Sequence, residues 1–311
     1  MSVETELEAI RTGAAIYPLT DRAFLRITGA DATRWLNGMV TNSIQSLQPG
    51  EGNYNFLLNA QGRIQGDCYI YRELGEGSAT FLLETDKSQI ETIHQLLDKF
   101  IIMDDVELKP AFEGKLGTLV VGSGALGTLD VALMWPPPSI SIYQAEGFDG
   151  CFVLALSKDR FEVWADSWAT NWMGDIERRV SPEAIEAHRI LSGIPKFGID
   201  IRDRDLPQET AQTHALHFNK GCYLGQEIVE RIRSRGQVHR TFTAFTLTGE
   251  LPTLPAPLQA TIAGQTRPAG EITSAIQIGD QIHALGYLRR EFATHPLTYP
   301  GGTVTPKTTA L

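Results

Sequence analysis

Two glycines bracket a single cysteine in Lys220-Gly221-Cys222-Tyr223-Leu224-Gly225-Gln226-Glu227, a string that confines the chain around it to a turn running into a helix. Leu224, Ile228 and Ile232 recur every four residues, and Gly236 follows where a C-cap belongs. This predicts a short helix with its first turn close to Cys222. The thiol then sits near a positive helix end, with Lys220 two residues before it and Arg231 later in the same element. Those charges predict a lowered pKa for Cys222 and a larger share of the reactive thiolate. The alternative for the same residue is a small buried hydrophobe at a tight turn.

The chain has 311 residues, 42% of them hydrophobic, which exceeds what one core usually serves and implies two or three domains. A formal net charge of −10 repels nucleic acid and anionic membranes at long range, so any anion site must be local. From Lys220 to Arg240, one lysine and four arginines (Arg231, Arg233, Arg235, Arg240) stand against Glu227 and Glu230, a local charge of +3. That segment is the candidate for contacting a carboxylate or phosphate, with a solvated basic helix face as the alternative. The three cysteines, Cys68, Cys151 and Cys222, are widely spaced and never in C-x-x-C, which encodes neither a disulfide framework nor a four-thiolate cluster site and fits a reducing cytoplasm. The acidic N-terminus has no basic or apolar leader, and no stretch approaches a membrane span, so no secretory signal, transit peptide or membrane anchorage is expected.

Along the chain, Thr5 with Glu8 suggests a capping box for a first helix, and Asp31 a cap for a second over Ala32 to Leu36 closed by Gly38. Asn53 to Asn59 and Cys68 to Tyr71 read as strands of a hairpin around Ala60-Gln61-Gly62-Arg63. Ile90, Ile93, Leu96, Leu97 and Phe100 follow helical spacing. Leu116 to Val121 reads as a strand before Gly122-Ser-Gly124-Ala-Leu-Gly127, a literal G-x-G-x-x-G. Only eight residues separate Gly127 from Pro136-Pro137-Pro138, too few for a crossover helix, so a glycine-rich loop is expected rather than a dinucleotide site. A further hairpin pairs Cys151 to Leu156 with Phe161 to Ala165, and Trp164, Trp168 and Trp172 suggest a helix burying one face. Ser181 and Pro182 start a helix ending near Gly193. From Thr241, short Thr- and Ile-containing runs between Pro and Gly clusters indicate a small all-β barrel or sandwich.

The string from Lys220 to Glu227, with Arg231, Gly236 and Arg240, resembles the signature of the YgfZ-type folate-binding proteins, relatives of the glycine-cleavage aminomethyltransferase (T-protein) that support iron-sulfur enzymes. Arg189-Ile-Leu-Ser-Gly193-Ile-Pro195-Lys-Phe197-Gly198-Ile-Asp200, followed by Pro207-Gln-Glu209, is similar to the T-protein segment R-x-E-x-G-x-P-x-Y-G-x-D…P-x-E. The glutamate that holds the pterin ring in that family falls at Leu191, which argues against ordinary aminomethyl transfer because buried donors would be left unpaired. Gly62 to Tyr71 is similar to G-G-x-x-D-D-x-x-x-Y: Asp67 matches the second aspartate and Gly66 stands at the first.

The resemblance implies an α+β fold of three domains in the aminomethyltransferase arrangement. Residues 1–240 would form two interleaved α+β domains, about 1–48 with 115–190 and 49–114 with 191–240, and 241–311 a C-terminal β-barrel. It implies a tetrahydrofolate-binding accessory protein for assembly or repair of iron-sulfur clusters in a subset of enzymes, including tRNA-modifying ones, with iron-sulfur or cluster-assembly proteins as partners and no direct nucleic-acid or membrane binding. A folate-dependent aminomethyl- or methyltransferase or demethylase is the alternative. Cys222 and Asp67 are the implied reacting groups, and Lys220, Gly221, Tyr223, Gln226, Glu227, Arg231 and Asp67 the implied contacts to tetrahydrofolate or a derivative. His214, His217 and Cys222 form a loose H-x-x-H-x4-C with no fourth ligand, and no metal is expected there.

Overall fold

The computed structural model describes residues 2–75, 77–129, 141–144, 151–166, 179–236 and 238–307. Helix α1 (Val3–Thr12) leads into β1 (Ala15–Leu19), and the chain then enters β2 (Arg22–Thr28) in a different sheet. It continues through α2 (Ala32–Met39), β3 (Gly52–Leu58), β4 (Ile64–Arg72), β5 (Phe81–Asp86), α3 (Ile90–Asp98) and β6 (Glu107–Ala111). β7 (Leu116–Val121), α4 (Ala125–Leu129), β8 (Ser141–Gln144), β9 (Phe152–Ser157) and β10 (Arg160–Ala165) return to the first sheet, ahead of α5 (Pro182–Leu191) and α6 (Gln226–Arg235).

The first sheet has the order β1-β7-β10-β9-β8 and the second β3-β4-β5-β2-β6, with antiparallel neighbours throughout. The remaining strands, β11 (Arg240–Gly249), β12 (Ala256–Ile262), β13 (Gln265–Ile278), β14 (Gln281–Arg289), β15 (Leu297–Tyr299) and β16 (Gly302–Pro306), close into a barrel in the order β11-β14-β13-β12-β15-β16. The α+β class and the C-terminal barrel are as the sequence indicated. Among the described residues no helix is long and apolar enough to cross a membrane.

The change of sheet at Thr20-Asp21 comes earlier than the boundary near residue 48 that the resemblance suggested. Leu25 and Ile27 of β2 pack with Trp35 and Leu36 of α2 and with Phe81 and Leu83 of β5, so the chain from β2 to β6 belongs to the second sheet and its core. Local signals also moved. Ser2, not Thr5, caps α1, its hydroxyl accepting the Thr5 N–H at 3.4 Å. Asp31 makes no cap bond to α2; its carboxylate accepts the N–H of Asp105 instead. Ser181 does cap α5 through the Ala184 N–H. Trp168 and Trp172 lie outside the described residues.

Among the described residues, the helix in the glycine-rich loop after β7 is α4, five residues long. Gly122 sits at φ 126°, and a Cβ there would lie 2.4 Å from the carbonyl oxygens of Ile10 and Gly13. The glycine thus lets the end of α1 lie directly on the loop, which is a packing role and not phosphate binding.

Strand parity sets the two sheets face to face. In β4, Cys68 and Ile70 enter the core under α2 and α3, while Tyr69 and Tyr71 turn the other way. In β10, Phe161, Val163 and Ala165 enter the first sheet's core beside α4, leaving Arg160, Glu162 and Trp164 on the opposite face. Trp164 meets Phe24 of β2 edge-on at 4.8 Å between centroids, and Glu162 lies close enough to Glu84 of β5 for the two carboxyls to interact. One strand therefore lays successive side chains across the strands of the other sheet.

Candidate functional site

Between the sheets, beside this contact, lies a cavity of about 200 Å³ closed on one side by α5 and by residues 194–197. Asp67 reaches into it from β4. The Tyr54 hydroxyl donates to Asp67 Oδ2 at 2.5 Å and Gln89 Nε2 to Oδ1 at 2.8 Å, while Gln89 Oε1 accepts the Asp67 N–H at 3.1 Å. Burial raises the Asp67 pKa above the usual carboxylate value despite these two donors, so the group holds a proton more readily than a surface aspartate. Gly66 faces away from the cavity. A Cβ on it would meet Ile93 of α3 at 3.0 Å, so a side chain at this position would point at α3 and require Ile93 to give way by a few tenths of an ångström.

Behind Asp67 the sheets share a buried charge network that sequence reasoning missed. Arg22 pairs with Glu84 at 2.6 Å, and Glu84 also accepts from the Tyr71 hydroxyl at 3.0 Å. Glu162 accepts the indole N–H of Trp164 at 3.2 Å, and burial, with Glu84 alongside, pushes its pKa up to about 8. Burial and the neighbouring Glu84 therefore favour the protonated form of Glu162, as expected for one of two close carboxylates. The signal was present in the sequence: Glu84 in Phe-Leu-Leu-Glu-Thr and Glu162 in Arg-Phe-Glu-Val-Trp are charges inside apolar strand runs, which are buried only when paired.

The cysteine string occupies a different place. Among its implied ligand contacts and Arg231, none lines the cavity; Asp67 alone of the expected site residues does. Gly225 caps α6 at φ 81°, and a Cβ there would stand 2.6 Å from the Asn59 carbonyl oxygen, so the string is pressed onto the β3–β4 turn through this glycine. Tyr223 is buried with Tyr54, Phe56 and Val229. Gln226 and Glu227 open α6, Gly221 has open space around it, and Cys222 is exposed. The Lys220 ammonium donates to the carbonyl oxygens of Val40, at 2.7 Å, and of Asn42, and lies over the Tyr223 ring. Burial pushes its pKa down to about 7, which weakens the positive charge it presents at neutral pH.

The basic segment is largely spoken for. Arg240 is clasped by Asp205, Glu209 and Glu271, and Arg233 stacks on Phe218 at 4.4 Å. Arg231 is exposed on α6. Leu191 is 41% exposed and is not a wall of the cavity, so its side chain does not stand where a pterin-binding acceptor is missing. Among the described residues no group of three or more His, Cys, Asp or Glu is arranged to hold a metal. A larger cavity, about 1100 Å³, opens beside Phe24, Trp164 and Arg179; no expected site residue lines it.

The architecture superposes on the glycine cleavage system aminomethyltransferase T from Bartonella henselae with a TM-score of 0.83 at 18% identity, covering 99% of this chain and 89% of that one. The fold is aminomethyltransferase-like. Residues 1–130 match the family model of the GCVT N-terminal domain. The mitochondrial iron-sulfur cluster assembly factor IBA57 homolog of Neurospora crassa is 28% identical over 273 residues, 82% of this chain and 58% of that protein. The mitochondrial iron-sulfur cluster assembly factor IBA57 of Mus musculus is 26% identical over 297 residues, covering 90% and 79%. The aminomethyltransferase of Bacillus cytotoxicus is 23% identical over 299 residues, covering 89% and 78%. The chain spans a little over half the length of the fungal relatives it matches, 58% and 54% for two of them.

Proposed function

We propose that the protein binds tetrahydrofolate or a derivative in the cavity between the sheets and supports assembly or repair of iron-sulfur clusters, in the manner of the YgfZ-type proteins. The observation that carries the folate reading is Asp67, a carboxylate of raised pKa fixed by Tyr54 and Gln89 and turned into an enclosed space. The names of the Neurospora and mouse relatives support the cluster-assembly half. Bound tetrahydrofolate supplies N5 and N10, the nitrogens that carry one-carbon units. Asp67 accepts hydrogen bonds from the ligand's N–H groups and can hold a proton beside them. Tyr17, Tyr69 and Phe197, all in the cavity wall, offer aromatic surface to a ring. Cys222 would act separately, as an exposed thiol reachable by an iron-sulfur client or assembly protein. Clients that modify tRNA, and a cytoplasmic setting, belong to the same proposal.

Calorimetric titration of the protein with tetrahydrofolate and its methyl and formyl derivatives tests the first half. Saturable binding that Asp67→Asn weakens is expected; no binding of any of them sinks the reading. Complementation of a cell lacking the native protein tests the second. Cys222→Ser should keep folate binding and fail to restore iron-sulfur enzyme activity, and full restoration would remove the thiol from the function. The runner-up, folate-dependent aminomethyl transfer, is favoured by the same Asp67. It requires turnover with an aminomethyl donor that Cys222→Ser leaves intact and Asp67→Asn removes.

A further inference from the structure

Four strong cations line the central cavity: Arg22, Arg160, Arg189 and Lys196. Two are neutralised within the protein. Arg22 is paired with Glu84, and Arg189 is held by Glu186 at 2.7 Å, by Asp200 at 2.7 Å and by the Ser274 hydroxyl at 2.8 Å. Arg160 and Lys196 are different. Neither forms a salt bridge among the described residues, and Arg160 Nε is buried without any hydrogen-bond partner.

An unpaired guanidinium N–H taken out of water is costly, and a chain that keeps one against a cavity has its partner elsewhere. Arg160 opens β10 at a β-bulge, where Arg160 is opposite Ser157 but Phe161 is opposite Ala155, a local irregularity that twists this corner of the hairpin. Parity turns Arg160 to the same side as Glu162, into the cavity wall. Its charge is felt there: burial lowers the pKa of His188 and Arg160 lowers it further, and Arg160 opposes the burial that lifts Tyr69 to about 12.

We propose that Arg160, seconded by Lys196, is the subsite for the carboxylates of the ligand's glutamate tail, while Asp67 takes the ring nitrogens. The inference rests on the folate reading and places the tail contact on the cavity wall, not on Arg231 of the outer helix. A guanidinium fork matches a carboxylate bidentately, and a lysine adds charge without that geometry, which ranks Arg160 above Lys196.

The test compares tetrahydrofolate with 6-methyltetrahydropterin, which keeps the reduced ring and lacks the aminobenzoylglutamate, by calorimetry on the wild type, Arg160→Gln, Lys196→Met and Arg231→Ala. Arg160→Gln should weaken tetrahydrofolate by roughly tenfold to a hundredfold, the range for a charged hydrogen bond, and change 6-methyltetrahydropterin less than about twofold. Lys196→Met should show the same selectivity at smaller size, and it keeps the inference testable if Arg160→Gln melts. Arg231→Ala should change neither ligand. Equal weakening of both ligands, or no weakening of tetrahydrofolate, by both cavity variants overturns the subsite. If the wild type binds neither compound, the folate reading itself falls, and the subsite with it.

Discussion

The cavity and the cysteine string are built on opposite plans. Around the cavity, Arg22, Glu84 and Glu162 come from three strands of two sheets and form a buried network, with Asp67 beside it held by Tyr54 and Gln89. The string from Lys220 to Glu227 is contiguous, anchored by Tyr223 and Gly225, and leaves Cys222 exposed. A network of mutually paired charges is rigid and intolerant of substitution, which suits holding one small molecule in one pose. An exposed thiol on an anchored turn suits a partner that must come and go. The difference teaches that stability and substitution tolerance should divide along the same line as the two proposed tasks.

The largest effect should come from Glu84→Ala, which strands Arg22 in the interior. Breaking a buried pair this way costs about 3 to 5 kcal/mol. Denaturant unfolding checks it, and a loss under about 1 kcal/mol would mean water reaches the pair.

Next is the pH dependence of Glu162. In the unfolded chain the group titrates near 4.5, and in the folded protein at about 8. Between these values the folded state keeps a proton that the unfolded state has released, so stability falls as pH rises through the window and levels off above it. A slope of at most about 1.4 kcal/mol per pH unit follows. Glu162→Gln keeps a donor to Glu84 and carries no titrating proton, so its stability should be flatter from pH 5 to 8 and should exceed that of the wild type at pH 8. Parallel wild-type and variant curves would show that Glu162 is already ionised.

Within the string, Gly225→Ala must adopt a left-handed conformation and push against Asn59, at roughly 1 to 3 kcal/mol. Gly221→Ala meets nothing and should cost a few tenths. Equal costs at the two glycines would remove the distinction between anchor and open turn. The smallest effect belongs to Cys222→Ser, within about 0.5 kcal/mol of wild type because the side chain is exposed. In the wild type that same thiol should be alkylated first, since Cys68 and Cys151 are buried and burial raises both of their pKa values. Mass-spectrometric mapping after brief iodoacetamide treatment reads the order directly.

What could be read from the sequence was local. The β3–β4 and β9–β10 hairpins, α5 with its Ser181-Pro182 start and α6 with its Gly236 stop all announce themselves within a few residues. The barrel did so through its turn punctuation. The cavity could not be read this way, because Arg160, Glu162 and Glu84 meet only when two sheets close face to face. Asp67 was found through a family pattern and not through its surroundings: Tyr54 and Gln89, which fix it, carry no signal at the spacing where they occur. Lys220 shows the same limit. Its position suggested a charge for the neighbouring thiol, yet its long side chain reaches residues 40 and 42.

The early change of sheet at Thr20-Asp21 also sets an order of events on the ribosome. α1 and β1 emerge first, but the neighbour of β1 is β7, which is made only after the whole second sheet. The second sheet, β2 to β6, is continuous in the chain and can close as a unit while the leading segment waits unpaired. Closing the long loop back to β7 adds little entropy beyond that of a shorter one, but it must come late. Nascent-chain proteolysis should therefore find Val3–Leu19 cleavable until Leu116–Val121 has cleared the exit tunnel, after which protection of this segment reports the pairing of β1 with β7.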